Sequence, residues 1–193
     1  MKIAVIGKGH VGTALAAGFK RKGHKIRFGH RDPKEPVVDA AKWGEVIILA
    51  IPYRTVKEVA KVLGSTADRK VVVDVTNVLG PDMELAVGFS TSGAEELQKL
   101  LPKARVVKAF NTVFAVNQST GRVGREQLSA FVAGDNAEAK KTVMLLARDI
   151  GFDSVDAGSL KSARYLEPMA VLMMRLGFDL KMGTNIGYKL VKG

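Results

Sequence analysis

Apolar residues fall along this chain in two alternating rhythms. Short unbroken runs, such as KIAVI at residues 2–6 and VIILAI within 45–52, alternate with longer segments whose apolar positions recur every three or four residues. An unbroken run reads as a strand covered on both faces; the longer period reads as a helix with one buried stripe. Strands are therefore expected over 2–6, 24–29, 45–52, 70–77, 104–110, 128–134 and 152–158. Helices are expected over 13–23, 37–44, 54–64, 137–149 and 160–178, the last despite Pro168. Gly23, Gly64 and Gly151 supply helix stops, and Pro52 ends the third strand. Ser92 with Glu95 has the spacing of a capping box for a short helix through Leu100, and Asp135 with Glu138 repeats it. Residues 78–90 follow neither rhythm and read as a loop; 111–127 read as loop plus a turn of helix. The alternation predicts an α/β, Rossmann-type, doubly wound and mostly parallel sheet with helices on both faces and a small C-terminal helical appendage.

Composition narrows the chemistry. The chain has 193 residues, enough for one full core, and no cysteine, so disulfides, thiolate nucleophiles and thiolate metal sites are excluded. Three histidines without metal-ligand spacing leave no metal site to expect. No apolar stretch approaches the roughly 18 residues of a membrane span, and no leader-like segment is visible, so no membrane partner and a cytoplasmic location are expected. The formal net charge is +11. Without zinc-finger spacing, an aromatic RNA-binding motif or a dense basic tail, nucleic acid is not the expected partner; a lysine-rich soluble surface accounts for the charge, and attraction of phosphate-bearing or polycarboxylate small molecules is a further reading that need not compete with it.

The first strand runs directly into GKGHVG, placing Gly7, Gly9 and Gly12 in a GxGxxG pattern ahead of a helix. The first glycine permits the tight turn, the second lets backbone approach a pyrophosphate, and the third lets helix and strand pack closely. Lys8 and His10 add polar groups to that turn. The second strand ends in GHRDPK. A dinucleotide lacking a 2′-phosphate wants a carboxylate here, and Asp32 stands 20 residues beyond Gly12. A 2′-phosphate wants cations, and His30, Arg31 and Lys34 surround Asp32. NADP is the expected cofactor. Ala50, Ile51 and Pro52 can wall it and Tyr53 can shield a ring, while Asp74 and Asn77 read as loop caps. Asn111 and Thr112, after the fifth strand, can orient the nicotinamide amide or a substrate group, and Gly158 can admit a second ligand. No catalytic acid–base pair is recognisable, which suits hydride transfer between two stacked cofactor rings.

The segments IAVIGKGHVGTALA, FGHRD, ILAIPY, VKAFNT, DAGSLKSARYLEP and MGTNIGYKL together resemble the NADPH-dependent coenzyme F420 reductase family over nearly the whole chain. The resemblance implies hydride transfer between NADP(H) and coenzyme F420 or a flavin-like acceptor, in a homodimer. It implies that residues from Gly7 through Val11 to Gly12 bind the pyrophosphate and that His30, Arg31 and Lys34 hold the 2′-phosphate. Ile51 and Pro52 would line the cofactor, and Ala109, Phe110, Asn111 and Thr112 would approach the nicotinamide and the acceptor. Residues 1–157 would then form the NADP-binding domain. Residues 158–193 would complete the second-ligand pocket, with Met169, Leu172, Met173, Met174 and Leu176 giving a face for the core and a second subunit. GHR in place of GSR, a short 32–44 connection and AFNT in place of ALHT depart from the family pattern and leave the acceptor open, with flavins and ferric chelates alongside F420. An imine or hydroxy-acid reductase and a non-catalytic NADP-binding module are the alternatives.

Overall fold

The computed structural model describes residues 1–193. In chain order its elements begin with β1 (Lys2–Ile6), α1 (His10–Arg21), β2 (Lys25–Gly29), α2 (Val37–Trp43), β3 (Val46–Leu49), α3 (Val56–Leu63) and β4 (Val71–Asp74). There follow α4 (Gly93–Leu100), β5 (Arg105–Lys108), α5 (Ala115–Gln118) and a hairpin of β6 (Arg122–Val123) with β7 (Glu126–Gln127). The chain continues with β8 (Ser129–Gly134), α6 (Ala137–Asp149), β9 (Asp153–Asp156) and α7 (Ala163–Met174).

Seven strands form one sheet in the order β2-β1-β3-β4-β5-β8-β9. The apolar runs are unbroken because each strand is covered twice. Ile3, Val5, Val46, Ile48, Val73 and Val107 face a layer built by α1 and α6. Their neighbours Ala4, Ile6, Ile47, Leu49, Val72 and Val106 face α2, α3, α4 and the start of α7. Period-two alternation thus sorts two apolar sets onto two faces. The order turns back at β1, where β2 lies on one side and β3 on the other, and ligands of such sheets bind beyond the strand ends at that point.

The sheet is mostly parallel, as expected; the one antiparallel pair is β8 with β5, where Val107 lies opposite Gly134. The 111–127 connection is loop with one turn of helix, as expected, and adds a short hairpin. Other expectations need correction. Asn136, not Asp135, caps α6: its Oδ1 accepts the Ala139 amide at 2.9 Å. Asp135 instead accepts the Leu160 amide at 2.9 Å, joining the end of β8 to the start of the C-terminal segment. The expected helix over 160–178 is in fact three pieces: a tight turn at Leu160–Ser162, α7, and a wide π-helical turn at Arg175–Asp179. Half of the Ser92–Glu95 capping box is present: Ser92 Oγ accepts the Glu95 amide at 3.2 Å, while Glu95 Oε2 accepts the Ser92 hydroxyl at 2.7 Å in place of the Ser92 amide.

The C-terminal segment does not pack as a separate body. Leu160 and Ala163 belong to the same apolar cluster as α2–α4. The tail is strapped back: the Ser129 amide donates to Tyr188 O at 2.9 Å, and the Tyr188 hydroxyl donates to Met169 O at 3.0 Å. No helix is long and apolar enough to cross a membrane.

Candidate functional site

The first βα turn is built by close approach. Gly7 has φ +107°, and a Cβ there would lie 2.1 Å from Ala50 O. A Cβ on Gly12 would lie 2.2 Å from Gly7 O, so α1 can sit this near the sheet only with glycine at that position. Gly9 differs, because a Cβ would meet nothing within 4 Å; it faces open space. Gly9 is also the N-cap of α1, with no side chain to satisfy the first amides, and the first helical bond runs from Thr13 N to Gly9 O. The amides of His10, Val11 and Gly12 are left free at the positive end of a twelve-residue helix.

A cleft of about 930 Å³ opens over this turn. Its floor is Ile6, Gly7, Lys8 and Gly9; one wall is Gly29, His30, Arg31 and Asp32 after β2; the opposite wall is Ala50, Ile51 and Pro52 after β3. Sequence reading missed a third side, Arg54, Thr55, Glu58, Val59 and Val62 before and along α3, a segment read as a helix with one apolar stripe and given no part in the site. His10 and Val11 sit at the head of α1 outside the lining, and Gly12 is buried beneath it. Lys34 lines a smaller cavity of about 380 Å³ behind the β2 wall, with Glu35 and Asp39. Asp32 is committed locally: its Oδ1 accepts the Lys34 amide at 2.9 Å.

The other expected residues gather beyond the ends of β4 and β5. Phe110 has φ +67° and ends β5 with a turn whose carbonyl is held by Gln118 Nε2 at 2.7 Å. The turn sends the Phe110 ring into the core against Phe152, at 5.8 Å between centroids. Ala109 and Thr112 are buried as well. Asn111, 5 % exposed, donates from Nδ2 to Leu166 O of α7 at 2.8 Å, while its Oδ1 has no partner. Asn111, like Ala109, Phe110 and Thr112, lies outside the lining of the cleft. Tyr53 is half-buried in the turn before α3, and Gly93 lies beside its ring. Burial, then the charges of Glu167, Glu96 and Asp74, push its hydroxyl above the ordinary tyrosine pKa, so it is a neutral phenol.

Next to these residues lies a buried ion cluster that the sequence did not disclose. Lys108, the last residue of β5, is fully buried. Its Nζ is 3.0 Å from Asp74 Oδ2 and 3.1 Å from Glu167 Oε1, and it donates to Thr76 O at 2.7 Å. Glu167 also accepts the Gly93 and Ala94 amides at the N-terminus of α4, at 2.9 and 3.2 Å. Asp74 accepts the Thr76 amide at 3.0 Å. Burial works against the Lys108 ammonium, but the two carboxylates override it and hold its pKa above the usual lysine range. Burial pushes the Glu167 carboxyl up; Lys108 and the Gly93 amide pull against that. Three N–H donors on its two oxygens identify Glu167 as a carboxylate. Adjacent α7 residues, Leu166 and Glu167, thus hold Asn111 and the ion cluster respectively. Gly158 has φ +90° and lies in the turn after β9, where its carbonyl accepts from Lys140 Nζ at 3.1 Å.

Three comparisons bear on this arrangement. Residues 2–37 match a family described as NADP oxidoreductase, coenzyme F420-dependent. The F420-dependent NADP reductase of Methanocaldococcus jannaschii is 33 % identical over 160 residues, covering 77 % of this chain and 69 % of the relative. The metalloreductase STEAP3 of Rattus norvegicus is also 33 % identical, over 189 residues covering 90 % of this chain; the chain spans 37 % of that relative's length. A crystal structure from Arthrobacter sp. FB24, described as a candidate F420-dependent NADP reductase, superposes with a TM-score of 0.92 at 28 % identity, covering 100 % of both chains.

Proposed function

This chain belongs to the family of F420-dependent NADP reductases, and on that premise we propose that it is an oxidoreductase moving a hydride between NADP(H) and coenzyme F420 or a flavin-like acceptor. The observation that carries the reading is a single cleft whose lining joins the Gly7–Gly9 turn, directly ahead of the free α1 amides, and Lys8 to His30 and Arg31. That donor set fits two groups of negative charge: a diphosphate over the helix start and a 2′-phosphate at the end of β2.

NADP supplies the hydride chemistry when bound, at its nicotinamide. The protein's part is placement. Amides from His10 to Gly12 neutralise the diphosphate without a side chain, which lets it lie close to the turn. Ala50, Ile51 and Pro52 give an apolar wall that carries no competing hydrogen bond. Arg31 supplies an always-charged planar donor for the 2′-phosphate. Asn111, fixed in rotation by its bond to α7, and Thr112 are buried outside the cleft lining; orienting the nicotinamide amide or the acceptor through Asn111 would require its buried Oδ1 to be uncovered when the ligand binds.

A homodimer is part of the same proposal. Met173 is buried within the chain, while Leu172, Phe178, Leu180 and Met182 leave an exposed apolar surface on and after α7. Burying such a patch against a second copy is favourable.

The test mixes the protein with NADPH and, separately, oxidised F420, FMN, FAD and ferric chelates, following the nicotinamide absorbance. Oxidation with F420 or a flavin supports the proposal. Oxidation with ferric chelates alone replaces the acceptor, and no oxidation with any of them, despite NADPH binding, rejects the enzymatic reading.

A further inference from the structure

The end of β2 holds a carboxylate that the phosphate reading does not use. Glu35 Oε2 is 2.8 Å from Lys8 Nζ and 2.6 Å from His30 Nε2. His30 Nδ1 accepts the Asp32 amide at 3.2 Å, so Nε2 is the ring's donor and it points at Glu35. Lys8 and His30 line the cleft; Glu35 does not, and reaches them from the smaller cavity behind. Among the cations lining the β2 end of the cleft, Arg31 alone has no carboxylate partner.

We propose that Glu35 is a built-in competitor for the 2′-phosphate, a specificity-determining residue that narrows the preference for the phosphorylated dinucleotide. The inference rests on the NADP reading above. A phosphate and a carboxylate seek the same N–H donors. When a 2′-phosphate enters, either Glu35 releases Lys8 and His30, or it keeps them and leaves its negative charge beside the phosphate. Both outcomes weaken only the phosphorylated ligand, because an unphosphorylated ribose asks neither residue to let go.

A second role for Glu35, propping the two donors in position, is less well supported by their other contacts. Lys8 Nζ lies 5.4 Å from the centroid of the Phe28 ring, a favourable site that does not involve Glu35. The loop of His30 is closed by backbone bonds, His30 N to Glu35 O and Glu35 N to Asp32 O, both 2.9 Å. These remain when the side chain is changed. Removing the carboxylate therefore frees two donors that stay where they are.

The experiment measures binding of 2′,5′-ADP and of 5′-ADP to the wild type, Glu35→Gln and Glu35→Ala by calorimetry. Surface ion pairs of this kind predict that both variants bind 2′,5′-ADP roughly threefold to tenfold more tightly, while 5′-ADP changes less than twofold. The gain should shrink as salt is added. Weaker binding of 2′,5′-ADP would make Glu35 a prop, and equal shifts for both nucleotides would remove its specificity role. Wild type that binds both nucleotides alike, with variants that do the same, overturns the competitor and leaves dinucleotide binding standing. Wild type that binds neither overturns the NADP reading and the inference together. Unchanged melting temperatures confirm that substitution at this half-buried loop position leaves the fold intact.

Discussion

Replacing Lys108 with methionine removes one charge and nearly conserves volume, which isolates the electrostatic part of the buried cluster. At an effective dielectric near 20, each attraction at 3.0 to 3.1 Å is worth about 5 kcal/mol. Desolvation of the three ions and repulsion between the carboxylates offset most of that. What the variant loses is the compensation: Asp74 and Glu167 remain buried without a cation. Breaking such a pair costs about 3–5 kcal/mol. The loss should depend on pH in a definite sense. Burial already raises the Glu167 carboxyl and Lys108 pulls against that, so without Lys108 it binds its proton more tightly folded than unfolded. The variant then recovers stability as pH falls and loses it as pH rises through the raised Glu167 value. Urea unfolding followed by circular dichroism at pH 5 and pH 8 should show a deficit that is larger at pH 8. A deficit below about 1 kcal/mol, or one equal at both pH values as a packing defect would give, refutes the assignment of Lys108 as the cluster's essential counter-ion.

Three further predictions concern other contacts. Gly7→Ala forces a Cβ to within 2.1 Å of Ala50 O at a left-handed backbone; dinucleotide binding should be lost in titrations, and unchanged affinity would contradict the close-packed turn. Arg31→Ala should weaken NADPH roughly tenfold or more, as expected for a lost charge-assisted phosphate contact, with little effect on NADH; equal losses would place Arg31 elsewhere. Arg164 grips Glu95 through two bonds of 2.7 and 2.8 Å and, with the Ser92 hydroxyl, holds its carboxyl below the usual range against burial. A depressed acid contributes its stability above the unfolded pKa and loses it as pH falls through the folded one. Arg164→Ala should therefore cost about 1 kcal/mol at pH 7 and nothing once both forms are protonated; a pH-independent cost would assign the effect to packing.

What could be read from the chain was what is local. The glycine turn, the double-covered strands and the cations after β2 each lie within a dozen residues and carry their own geometric reason. The cluster was not legible because RVVK ends like any strand meeting solvent, and its partners are 34 and 59 positions away in sequence. Glu35, inside PKEP, read as part of a turn; only the fold of that turn aims it at Lys8 and His30. The reversal at β8 escaped for a related reason, since apolar alternation states which faces are covered and not which way a strand points.

Leu166 and Glu167 are consecutive, yet one holds Asn111 through a carbonyl and the other takes three donors from two separate elements, α4 and β5. Swapping this segment for a relative's would thus transplant more than an outer helix. A chimera made at residue 158 would replace at one stroke what holds the Asn111 amide and what balances the buried Lys108 charge, so this outer segment cannot be exchanged independently of the sheet and α4.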